Sequence, residues 1–117
     1  MKAITLILAI LLLTGCQKKQ DDITKKTETA SVQLPSMICG TCKKNIMKAV
    51  YRVDGVKEVD VNVDKKEAKV TFVSFQTNMQ TIERAINDAG YDANETKRNS
   101  DAYEKLDACC KKMNREQ

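Results

Sequence analysis

Between residues 30 and 97 the apolar positions change their spacing several times, and each change marks an element. Val32 and Leu34 alternate with polar neighbours in a short strand that Pro35 stops. Cys42, Ile46, Ala49, Val50 and Val53 then recur at helical intervals, and Asp54-Gly55 ends that helix and turns the chain. Val59, Val61 and Val63 alternate with Asp60, Asn62 and Asp64 as a strand with one wet face, with Val56 off that parity. A turn at Asp64-Lys65-Lys66-Glu67 leads to Ala68, Val70 and Phe72 on one face of a third strand. Thr77-Asn78-Met79-Gln80 reads as a capping box for a second helix with Met79, Ile82, Ile86 and Ala89 as its apolar stripe. Gly90 stands at the left-handed position beyond its end. A weak fourth strand is expected over 91–96. The order is βαββαβ, the split βαβ arrangement: an α+β sandwich with one antiparallel sheet covered by two helices. Beyond Arg98, Ala102, Leu106, Cys109, Cys110 and Met113 fall at helix-like intervals, so a short C-terminal helical extension is expected.

Ahead of that domain, Lys2 and an apolar run over 3–13 read as an export signal, too short to span a bilayer, which takes about 20 residues. The run ends Leu13-Thr14-Gly15-Cys16, which resembles the bacterial lipobox. That resemblance implies cleavage before Cys16 and lipidation of its thiol, with several acyl chains giving a stable membrane anchor. Gln17 in the following position favours the outer membrane over the inner one. The expected organisation is a signal peptide over 1–15, the lipidated Cys and a flexible linker over 16–29, the domain over 30–97, and the extension over 98–117.

Composition narrows the chemistry. The 117 residues contain no His and no Trp, which excludes imidazole acid–base or metal chemistry. Loss of Lys2 with the signal takes the net charge from +4 to +3. The ten basic and ten acidic residues of 28–97 cancel, so the surplus lies in the tails. A nucleic-acid binder concentrates basic charge on its domain, so that class is excluded.

Five cysteines in so short a chain point to sulfur. Met37-Ile38-Cys39-Gly40-Thr41-Cys42 is the sharpest motif. Two residues between thiols turn both sulfurs to one side of a loop, and Gly40 lets that loop fold tightly. Cys42 is expected to begin the first helix, where free backbone N–H groups favour thiolate. Lys43, Lys44 and Lys48 add positive charge, with no acid before Asp54. Paired thiolates without His or carboxylate suit Cu(I), Ag(I) or Hg(II), whereas structural zinc takes four Cys or His ligands. Two other readings of the pair stay open here: a structural disulfide, and a thiol–disulfide exchange site. Against exchange, no proline follows the pair, whereas thioredoxin-like proteins carry one far downstream.

The Met37/Cys39/Cys42 loop, the element order and Ala89-Gly90-Tyr91 together resemble the heavy-metal-associated domain, over roughly residues 30–95. The resemblance implies a ferredoxin-like fold, with Cys39 and Cys42 as metal ligands, Met37 as a buried prop for the loop, and Tyr91 near the metal. Ser36 stands where many members have Gly, which implies a different approach of the loop. Ile38 stands where zinc-type members often have Asp, which lowers zinc. The expected protein is a monomeric metal carrier rather than an enzyme, taking Cu(I) first and Hg(II) second. Its partner would be a metal transporter or another carrier docking at Lys43, Lys44 and Lys48. Sequestration without transfer is the third alternative, beside catalytic thiol exchange. Cys109 and Cys110, with Met113, are a candidate second soft-metal site or a gate to the first. Adjacent helical residues point about 100° apart, so a shared ion requires the tail to unwind there. The alternative is that Leu106 and one Cys pack on the domain while the other thiol is exposed.

Overall fold

The computed structural model describes residues 26–111; the expected export signal, Cys16 and Met113 lie outside them. Three strands, β1 (Thr27–Gln33), β2 (Val56–Asn62) and β3 (Glu67–Val73), form an antiparallel sheet in the order β1-β3-β2. Helices α1 (Gly40–Tyr51) and α2 (Met79–Asp88) pack on one face. A five-residue helix, α3 (Ser100–Glu104), and a 3₁₀ turn (Ala108–Cys110) follow. Among the described residues no helix is long and apolar enough to cross a membrane.

The period-two pattern holds because β3 is central and its inward residues meet partners on both sides. Ala68 faces Val32 and Val61, and Val70 faces Ala30 and Val59. Those side chains, with Ile46 and Val50 of α1 and Ile82 and Ile86 of α2, make one buried core. Val56 is off parity because the β2–β3 register shifts between Val56 and Glu58, a bulge that inserts one residue. β1 begins at Thr27, inside the stretch expected to be linker.

Two further boundaries differ from the expectation. α1 stops at Tyr51 with Arg52 as its C-cap, so Val53 lies past the helix, where its N–H reaches the Val50 carbonyl. The N-cap of α2 is Asn78, whose Oδ1 accepts the Thr81 amide at 2.9 Å, while Thr77 is buried with its hydroxyl unpartnered. The amide oxygen of Asn reaches that N–H from an extended backbone.

The fourth strand does not form: the region shows only an isolated bridge, Ala93 to Thr96. The chain folds back on itself there, since Thr96 donates from both N–H and hydroxyl to the Ala93 carbonyl and Asn94 adopts a positive φ. Asn94 pairs with the last residue of β1. Its N–H donates to the Gln33 carbonyl and its Oδ1 accepts the Gln33 N–H, each at 2.8 Å. Asp92 then accepts the Arg98 N–H and directs the chain into α3.

Candidate metal centre

The loop between β1 and α1 is held from below. Leu34 and Met37 are fully buried, and the Met37 N–H donates to the Leu34 carbonyl. Ser36 is buried as well, and its Oγ accepts the Asp92 N–H at 2.9 Å, tying the loop to the segment that follows Tyr91. In the sequence Ser36 shows only as a departure from a family pattern; a single hydroxyl gives no periodic signal of such a tie.

The helix begins earlier than expected. Gly40 opens α1, so Cys39 is its N-cap, in extended conformation, and Cys42 is the third helical residue. Cys39 therefore stands at the positive end of the helix, and Cys42 is buried in its first turn. Gly40 has no positive φ, and a Cβ there would meet nothing within 4 Å. The tight loop therefore does not depend on Gly40. The sulfurs of Cys39 and Cys42 lie 3.2 Å apart.

The extension is docked against the domain, and several contacts hold it. The Asn99 N–H donates to the Asn87 carbonyl, Asn99 Oδ1 caps α3 through the Ala102 N–H, and Leu106 packs against the core. The Arg98 guanidinium lies over the Tyr103 ring, 3.6 Å from its centroid. Gly90 makes the close approach possible: a Cβ there would sit 3.0 Å from the Tyr103 nitrogen and 3.1 Å from Leu106 Cδ1.

This docking delivers the vicinal pair to the loop. Cys109 Sγ lies 3.3 Å and Cys110 Sγ 3.5 Å from Cys39 Sγ, and the two are 3.9 Å from each other. The sequence left this pair as a second soft-metal site or a gate to the first, and the structure sets it against the first. The pair joins the Cys39/Cys42 loop in one cluster, because a 3₁₀ turn replaces the expected helix at that point. Leu106 and Cys110 do pack on the domain and Cys109 is exposed, yet both sulfurs still face the loop. Cys39, Cys42 and Cys110 present sulfurs all within 4.8 Å of one another, the one such group of metal-ligating residues among the described residues. All four thiols are free.

The electrostatics differ between the sulfurs. Partial desolvation opposes ionisation of Cys39, but the Cys42 backbone N–H and the thiols of Cys42, Cys109 and Cys110 together outweigh it, lowering its pKa to about 6. Burial pushes Cys110 the other way, reinforced by Cys42. Tyr91 is fully buried beneath the cluster, with Asn45 Nδ2 donating to its hydroxyl at 3.1 Å. Burial and the neighbouring Cys110 raise the pKa of that phenol, so it remains an O–H donor aimed at sulfur. Lys44 and Lys48 are exposed and Lys43 half-exposed on α1; among the described residues none of the three is in an ion pair. A cluster of four sulfurs without imidazole or carboxylate favours soft cations, and one poised thiolate can receive such a cation at neutral pH.

The comparisons with known proteins agree with that chemistry. The mercuric transport protein periplasmic component of Pseudomonas fluorescens is 42% identical over 65 residues, covering 56% of this chain and 71% of that protein. The crystal structure of oxidized MerP from Ralstonia metallidurans CH34 superposes with a TM-score of 0.58 at 36% identity, over 59% of this chain and 96% of that one. The CopZ metallochaperone gives a TM-score of 0.55 at 29% identity, over 56% of this chain and 98% of its own. The model of the heavy-metal-associated domain matches residues 31–92, and with the cysteine loop at the mouth of α1 the chain belongs to that family.

Proposed function

We propose that this protein is a carrier of a soft thiophilic cation in the bacterial cell envelope, holding the ion at Cys39 and Cys42 and passing it on by thiolate exchange. The observation that carries this reading is the pair of sulfurs 3.2 Å apart at the positive end of α1, one half-exposed and one buried. Such a pair takes up a low-coordination cation without rebuilding the loop, and leaves an approach open to an incoming sulfur. Hg(II) ranks first as cargo, because relatives at 40% identity and above carry the name of mercuric transport proteins. Cu(I) is the second reading, supported by the likeness to the CopZ metallochaperone. Zinc ranks below both, since the donor set is sulfur alone.

The envelope location rests on the export signal, the lipobox ending in Cys16, and relatives named as periplasmic components. Lipidation of Cys16 would tether the domain to a membrane, with Gln17 favouring the outer one. The partner is a metal transporter or a second carrier bearing thiolates, meeting the face that carries Lys43, Lys44 and Lys48. The protein is read as a monomeric carrier, not an enzyme: moving an ion between sulfurs exchanges only metal–sulfur bonds and thiol protons and converts no substrate.

The test is competitive loading of the reduced protein with Hg(II), Cu(I) and Zn(II), followed through thiolate-to-metal absorption. Hg(II) or Cu(I) should displace Zn(II) at one equivalent and move on to a second thiol carrier. Failure to bind any of them, or catalytic turnover of a disulfide substrate without metal, would overturn the reading in favour of thiol exchange.

A further inference from the structure

The heavy-metal-associated domain match ends at residue 92, yet two of the four clustered sulfurs come from residues 109 and 110. We propose that Cys110 is a third ligand to the ion held by Cys39 and Cys42, and that Cys109 is the sulfur through which the ion enters and leaves. The proposal rests on the carrier reading above and adds to it a three-sulfur site built partly outside the matched domain.

Three observations support it. The first is distance. Three sulfurs each about 2.3 Å from one ion stand about 4.0 Å apart in a trigonal plane, and two in a linear arrangement about 4.6 Å apart. The Cys39, Cys42 and Cys110 sulfurs already lie within 4.8 Å of one another, with Cys39 at 3.2 Å from Cys42 and 3.5 Å from Cys110. Expansion by less than about 1 Å on each side makes room for a trigonal ion.

The second is that the extension is placed, not draped. The Arg98 N–H on Asp92, the Asn99 N–H on Asn87, Leu106 against the core and the space left by Gly90 each tie it to the domain, so Cys110 arrives at a defined position, only 1% exposed.

The third is the difference in exposure. Cys42 and Cys110 are buried, Cys39 is half-exposed and Cys109 is exposed, 3.3 Å from Cys39. The four sulfurs therefore form a short path from solvent to a buried pair. On loading, each new metal–sulfur bond releases the proton of any thiol still protonated. On transfer, a partner thiolate bonds to the ion as one resident metal–sulfur bond breaks, and the freed sulfur takes a proton from solvent. No electrons are exchanged.

The experiment loads the full reduced chain with one equivalent of Hg(II) and counts sulfur neighbours by X-ray absorption. The unmutated chain should show three sulfurs, and Cys110→Ser two. Removal of a mere outer partner of a metal site costs roughly 10–100-fold in affinity, so Cys110→Ser should lose at least that. Cys109→Ser should keep three sulfurs and release Hg(II) more slowly to dithiothreitol. Two sulfurs in the unmutated chain would overturn the third ligand while leaving the carrier reading intact, and that count stands even if Cys110→Ser misfolds. No Hg(II) bound to the unmutated chain would remove both readings together. An unchanged release rate in Cys109→Ser would overturn its role as the exchange sulfur.

Discussion

Replacing Gly90 with Ala tests whether the cysteine cluster depends on the join between domain and extension. Gly90 has φ +102 and closes α2 in a Schellman pattern: its N–H reaches the Asn87 carbonyl and the Tyr91 N–H reaches the Ile86 carbonyl. An L-residue in a left-handed conformation costs roughly 1–2 kcal/mol. The new Cβ would also stand 3.0 Å from the Tyr103 nitrogen and 3.1 Å from the Ala102 carbonyl carbon and Leu106 Cδ1. The leucine tip can rotate, but the Ala102–Tyr103 backbone moves only as a piece, carrying α3 and the turn at Ala108–Cys110 outward by a few tenths of an ångström. The strain and lost packing together come to about 2 kcal/mol, which in a domain of this size lowers Tm by on the order of 10 °C. Thermal unfolding followed by circular dichroism measures the first effect, and maleimide labelling with mass spectrometry measures exposure of Cys110. The expected result is a lower Tm together with faster labelling at Cys110. A variant with unchanged Tm and an equally protected Cys110 would refute the account of how the extension is held.

The matching substitution Gly40→Ala should do the opposite: with ordinary φ and open space around it, Ala at the first helical position raises stability by up to about 1 kcal/mol and leaves Hg(II) loading unchanged. Iodoacetamide alkylation of Cys39 should titrate with a midpoint near pH 6 rather than its ordinary 9.0; a midpoint near 9 would show that the surrounding donors do not stabilise its anion. Because that pKa is lowered on folding, its stabilising contribution is complete above pH 9, declines as pH falls and is lost through about pH 6, since the unfolded chain takes up the proton first. Replacing Lys43, Lys44 and Lys48 together with Glu should slow transfer to a thiol-bearing partner with an acidic face while sparing Hg(II) affinity, and equal transfer rates would count against docking there.

The elements of the fold were readable because each is written in a local period. Val59 and Val61, Ala68 and Val70, and Ile82 and Ile86 announce which face is buried, and burial of that face is what the sheet and helices share. Gly90 was readable for the same reason, since only glycine enters that conformation without strain. The fate of the fourth strand was not readable because it hangs on two side chains: Thr96 bonds back to the Ala93 carbonyl, and Asn94 reaches Gln33 across 61 residues, in place of a ladder.

Local spacing also named the Cys39–Cys42 motif, because two intervening residues keep the sulfurs within reach of one another whatever the rest of the chain does. No local rule could bring Cys109 and Cys110 to the same point. Their meeting with Cys39 spans some 70 residues and depends on the bare face of Gly90, the anchor at Asn99 and a 3₁₀ turn that swings adjacent sulfurs together. Periodicity and spacing report what neighbours along the chain do; the joining of two sulfur pairs into one cluster is a property of packing, and only the folded chain decided it.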